Sequence, residues 1–132
     1  MAEICVDGCT LQMTPFVSGS VEIITPPSQF TTLNGKGCYR GTLMVSISDY
    51  VGGAIVPNPG ASITVATAGT GTGSISANSV ACTIDGQTAV LKGAEGTVTV
   101  VGVLATPGGP VTTTQDVTVK ITDAGQSDIT VD

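Results

Sequence analysis

The chain has 132 residues, a length that fits one domain spanning 1–132 with a core of its own. Aromatic residues make up only 3% and Trp is absent, so that core must be aliphatic. A formal charge of −6 excludes the basic face that nucleic acids require and opposes binding to anionic membranes.

In chain order, the opening "MAEICVDGCT" lacks a basic region followed by an apolar segment, which predicts no signal peptide. No apolar run reaches the roughly 20 residues that span a bilayer. Without a secretory signal, the four cysteines point to reduced thiols in a cytoplasm and not to a disulfide framework. Runs rich in Val and Thr then succeed one another, as pleated strands favour. "SVEII" (20–24), "TLMVSIS" (42–48), "ASITVA" (61–66), "GSISANSVACTI" (73–84), "GTVTVVGVLA" (96–105) and "VTTTQDVTVKIT" (111–122) read as strands. "VPNPG" (56–60) and "AGTGTG" (68–73) read as loops, and "TPGGP" (106–110) as a hairpin loop. The tail "SDITVD" reads as a last short strand, and no window carries a capped helical period. Charged residues are only 11%, well below the quarter usual in soluble proteins. Two readings fit that figure: a surface partly covered by a partner, or a solvated Ser/Thr-rich sheet face.

Two stretches share an outline. "LNGKGCYRG" lies over "IDGQTAVLKG" when Gly35 is set on Gly86, 51 residues later. Each has an apolar residue, Asn or Asp, Gly, Lys or Gln, a short strand, then a base and Gly. Allowing one extra residue in the second copy sets Lys92 on Arg40. "DAGQSDITV" gives a third echo, with Gly125-Gln126 on Gly86-Gln87. Asn-Gly and Asp-Gly suit two-residue hairpin turns, because both central residues take positive φ. The repeat turns are thus placed at Gly35, Lys36, Gly86, Gln87, Gly125 and Gln126.

At these units the chain resembles the PAAR and PAAR-like family, the small proteins that sharpen the spikes of contractile injection machines. The family's signature runs roughly Asn-Gly-Lys-Pro-Ala-Ala-Arg-Val-Gly-Asp. "DGQTAVLKGA" matches it by identity or type at Asp85, Gly86, Gln87, Ala89 and Gly93, with Thr88 for Pro, Leu91 for Arg and Ala94 for the closing Asp. "ICVDGCTLQMT" and "DAGQSDITV" are similar to the openings and endings of PAAR-like proteins, and "TPPSQF…NGKGCYRG" adds to the likeness. The resemblance implies an all-β, compact cone of short strands and hairpins with pseudo-threefold internal repeats. It implies a structural role without enzymatic activity: capping a trimeric valine-glycine-repeat-type spike, one copy per trimer, in a phage tail baseplate, type VI secretion or extracellular injection particle. Such a tip helps pierce an envelope, meets membrane only in passing, and can carry effector cargo. It would assemble in the bacterial cytoplasm and end at the tip of the particle or virion. Many relatives hold a metal near the apex through His and Cys, but this chain has no His.

The residues themselves offer one metal set. Cys5, Cys9, Cys38 and Cys82 could close a tetrahedral site for a structural Zn or Fe ion. The competing reading makes them small buried hydrophobes, since the spacing has no C-x2-C pair. Without His there is no Ser-His or Cys-His pair, and the carboxylates show no acid–base spacing. "AGTGTGS" lacks the GK[ST] ending of a phosphate loop. Arg40 and Lys92 read either as contacts to a partner or as edge charges that block strand addition. A different architecture, an immunoglobulin-like β-sandwich for adhesion or virion decoration, fits the same composition.

Overall fold

A computed structural model describes residues 2–55, 64–106 and 108–131. Twelve strands make up its regular structure: β1 (Ala2–Glu3), β2 (Thr10–Thr14), β3 (Ser18–Ile23), β4 (Thr32–Leu33), β5 (Lys36–Gly37), β6 (Leu43–Val51), β7 (Thr64–Ile75), β8 (Thr83–Ile84), β9 (Gln87–Thr88), β10 (Glu95–Thr106), β11 (Gly109–Asp123) and β12 (Thr130–Val131). The chain is all-β, and no helix occurs among the described residues.

Six of these strands form one antiparallel sheet in the order β2-β11-β10-β7-β6-β3. Its two edges, β2 and β3, are consecutive in the chain, so the sheet nearly closes on itself. Strands alternate in the period-2 manner of a sheet with one buried face. Leu43, Val45 and Ile47 of β6, Val98 and Val100 of β10, and Val117, Val119 and Ile121 of β11 are buried, while Met44, Thr99, Thr118 and Lys120 between them face out. The single nearest-neighbour sheet is not the pair of facing sheets that a sandwich requires.

The described part of "AGTGTG" corrects the expectation of a loop: 68–73 lies inside β7. Gly69, Gly71 and Gly73 alternate along one side of that strand, against β10 and Ile55. A Cβ on Gly71 would lie 2.2 Å from the Thr99 carbonyl oxygen, and one on Gly73 2.8 Å from Val98 Cγ2. The glycines therefore permit close approach inside a narrow sheet and do not mark a break. The run 73–84 is also not one strand: β7 ends at Ile75, and β8 starts only at Thr83. The loop expected at 56–60 and the first residues of the strand expected at 61–66 lie outside the described residues. The hairpin at 106–110 and the final short strand are found, as β10–β11 and β12.

The short connector between β2 and β3 is tied to β6. Tyr50, fully buried, donates its hydroxyl to the Pro15 carbonyl, and Val17 N donates to Val51 O at 2.8 Å. Gly19 passes so close to Tyr50 Cα that a Cβ there would sit at 2.9 Å.

The six remaining strands make three two-stranded ladders: β4-β5, β8-β9 and β1-β12. The first two are tight hairpins. Their turn residues share one conformation, Asn34 and Gly35 at φ 55° and 77°, Asp85 and Gly86 at 53° and 78°. Positive φ at both positions is the two-residue hairpin geometry that Asn-Gly and Asp-Gly favour. The third ladder pairs strands from opposite ends of the sequence, Ala2 with Val131 and Glu3 with Thr130.

Candidate functional site

After each ladder the chain passes through a three-residue segment before entering the six-stranded sheet: 4–6 after β1, 38–40 after β5 and 89–91 after β9. These segments join in a ring. Cys5 N donates to Val90 O (2.9 Å), Val90 N to Tyr39 O (3.2 Å), and Tyr39 N to Cys5 O (3.0 Å). Isolated bridges Ile4–Leu91, Val6–Cys38 and Arg40–Ala89 flank these bonds. Two residues on, the cycle repeats: Asp7 N to Gly37 O, Gly41 N to Thr88 O and Lys92 N to Glu3 O, at 2.8–2.9 Å.

The ring fixes the correspondence between units. A constant 51-residue offset carries Tyr39 onto Val90 and Arg40 onto Leu91, so Lys92 stands opposite Gly41. The sequence match of Lys92 with Arg40 is therefore wrong by one residue. The turns are Asn34-Gly35 and Asp85-Gly86, with Lys36 and Gln87 opening the returning strands β5 and β9. Gly125-Gln126 is not a third such turn. Gln126 Oε1 accepts from Asp128 N and Ile129 N, as Ser28 Oγ accepts from Phe30 N and Thr31 N, and as Ser79 Oγ accepts from Cys82 N. Gln126 is thus the counterpart of Ser28 and Ser79 in the loops that lead into β12, β4 and β8.

Side chains alternate across the ring. The central residues Cys5, Tyr39 and Val90 belong to the large core of the six-stranded sheet. Their neighbours Ile4, Val6, Cys38, Ala89 and Leu91 form a second core with Ile84 under the hairpins, flanked by Leu33, Cys82 and Val131. The backbone ring is the floor between the two.

The hairpin turns also reach sideways. Asp85 accepts from the Ser28 hydroxyl and, at 3.0 Å, from Thr31 Oγ1 in the loop before β4. Arg40 Nε lies 3.4 Å from Asp85 Oδ2, and its Nη1 donates to Pro26 O at 2.8 Å. That Nε is buried and makes an ion pair without a hydrogen bond. The Ser28 hydroxyl, with Thr31 and Arg40, holds the Asp85 carboxyl below the usual carboxylate range. Asn34 in the equivalent turn donates from Nδ2 to Asp128 Oδ2 at 2.9 Å, in the loop before β12. Each turn residue matches what it meets: the acid faces hydroxyls and a guanidinium, the amide faces an acid.

The four cysteines divide between the two cores. Cys5 and Cys9 pack with the sheet, Cys38 and Cys82 with the hairpins, and all four are free thiols. Among the described residues no group of three or more His, Cys, Asp or Glu is placed to hold a metal ion. The geometry thus does not assemble the four-cysteine donor set. Burial, then the neighbouring Cys9, pushes the Cys5 thiol up, and burial, then Asp7, pushes Cys9 up to about 11. Burial, then Asp85, raises Cys38. Thiols held protonated are poor nucleophiles. Tyr39, whose hydroxyl faces Asp7 Oδ1 at 3.5 Å, is pushed up to about 12 by burial and then by that carboxylate.

Ser28, Thr31 and Asp128 do not stand out in the sequence. The only signal for the Ser28 turn is a Ser two or three residues before a backbone amide that it caps, which is too common to notice alone. No family model, no curated protein and no solved structure matches the chain. No helix among the described residues is long and apolar enough to cross a membrane.

Proposed function

We propose that the protein is a structural tip that caps a trimeric β-helical spike of a contractile injection system and helps it breach a target envelope. One observation carries the reading. The three segments 4–6, 38–40 and 89–91 bond head to tail in a closed cycle, and each delivers one strand, β2, β6 or β10, to the nearly closed sheet. A single chain with three quasi-equivalent parts about one axis can meet three identical subunits without a symmetry mismatch. Exposed apolar side chains occur at both ends, Phe16, Val17 and Val111 at the strand ends remote from the ring and Phe30, Val80 and Ile129 in the loops before β4, β8 and β12, so they do not by themselves select the covered end. The PAAR-like outline around Asp85-Gly86 agrees with this assignment, as does the low charge.

The test is stoichiometric. Mixed with a homotrimeric β-helical spike protein, the chain should form a complex of one copy per trimer by light scattering. A complex with three copies per trimer, or no complex at micromolar concentrations, refutes the reading.

A further inference from the structure

The chain has three asparagines, Asn34, Asn58 and Asn78, and each has a different C-terminal neighbour. Asn58 precedes Pro59, which has no backbone N–H. Asn78 precedes Ser79, and its Oδ1 is held by Leu91 N at 2.7 Å. Asn34 precedes Gly35 in an exposed turn, and a Cβ built on Gly35 meets nothing within 4 Å. The ladder that holds this turn closed has only two residue pairs, Thr32–Gly37 and Leu33–Lys36. A ladder this short opens locally at small cost compared with global unfolding.

We propose that Asn34 is a site of spontaneous deamidation, and that its product undoes the contact between the β4-β5 hairpin and the loop before β12. In the opened turn the Gly35 amide nitrogen loses its proton to hydroxide and bonds to Asn34 Cγ. The bond from Cγ to Nδ2 breaks, and ammonia leaves. Water then opens the five-membered imide at either carbonyl, giving aspartate or isoaspartate. The step consumes one water, releases one ammonia and needs no oxidant or reductant. Its consequence depends on the partner. Asn34 Nδ2 is the donor to Asp128 Oδ2, and the product sets a carboxylate against that carboxylate. The donor is lost and like charges face each other. The equivalent turn tolerates an acid because Asp85 faces Ser28, Thr31 and Arg40.

The folded protein is incubated in mildly alkaline buffer and its peptides are weighed over time. Asn34 should lose its amide at least about tenfold sooner than Asn78, the ratio given by about 1.4 kcal/mol of easier opening. Loss at Asn34 no faster than at Asn78 overturns the site. The product is mimicked separately by N34D, which should lower Tm by about 3–6 °C. D128N in the same chain restores a donor and an acceptor and should recover most of that loss. An unchanged Tm in N34D, or no recovery in N34D/D128N, overturns the proposed consequence.

Discussion

Replacing Gly71 with alanine sets two rules against each other. Gly71 does not need a positive φ, and a strand glycine changed to alanine usually gains about 0.4–1 kcal/mol by restricting the unfolded chain. Packing opposes this. The added methyl would sit 2.2 Å from Thr99 O, 3.0 Å from Thr99 C and 3.1 Å from Val100 Cα. All three are backbone atoms of β10, so no rotamer change relieves the overlap. The β7–β10 pairing must spread where Gly73 meets Val98 and Thr70 meets Val101. Overpacking of this kind costs about 1–3 kcal/mol, and the rigid neighbours place Gly71→Ala at the upper end. The net loss is about 2 kcal/mol, which lowers Tm by about 6–10 °C in a domain of this size. Thermal unfolding followed by far-ultraviolet circular dichroism measures it. The control is Thr72→Ala, an exposed neighbour on the opposite face, expected to stay within about 0.5 kcal/mol of the parent. A Gly71→Ala protein as stable as the parent would refute the inward, close-packed role of the β7 glycines.

The Asp85 carboxyl is held below its usual range, so its contribution to stability is present at neutral pH and disappears as pH falls through the folded-state value. Asp85→Asn should therefore melt below the parent at pH 7, with the gap closing below about pH 4; a gap independent of pH removes the electrostatic account. Because Cys5 and Cys9 pack in one core and Cys38 and Cys82 in the other, elemental analysis of purified protein should give less than about 0.1 Zn or Fe per chain; a thiolate site that binds at neutral pH would retain its metal. One ion per chain would mean that the two cysteine pairs converge despite belonging to separate cores.

Parts of the long strands β10 and β11 can be read directly. Over Thr97–Val100 of β10 and Val117–Ile121 of β11 the alternation of apolar with polar residues survives because one face is buried and the other meets water, whereas the first half of β11 has no buried face. Asn34-Gly35 and Asp85-Gly86 are legible for a local reason, since positive φ at two successive residues restricts the choice of side chains. Gly69, Gly71 and Gly73 mislead because the same residue serves flexibility in a loop and closeness in a strand, and only the position of β10 separates the two. The third ladder escapes notice because its halves lie at opposite ends of the sequence, where no local repeat can display it. The one-residue error at Lys92 has a related cause. Similar residue types, a base followed by Gly, outweigh the backbone register that only Lys92 N on Glu3 O and Gly41 N on Thr88 O define. The pairing of Asn34 with Asp128 spans 94 residues and leaves no trace in either segment alone.

The ladder between β1 and β12 also bears on the order of events during folding. Cys5 sits in the ring with Tyr39 and Val90, yet β1 just before it pairs with residues more than 120 positions later. Contacts of such separation pay their loop-closure entropy before they gain stability, and they form late. The hairpins β4-β5 and β8-β9 can each form from neighbouring residues, whereas the ring needs 89–91 in place and the β1-β12 ladder needs β12 as well. The apolar Ile4 and Val6 thus stay without Ile84, Ala89 and Leu91 of their core until the β8-β9 unit has formed, and β1 waits longer still for β12.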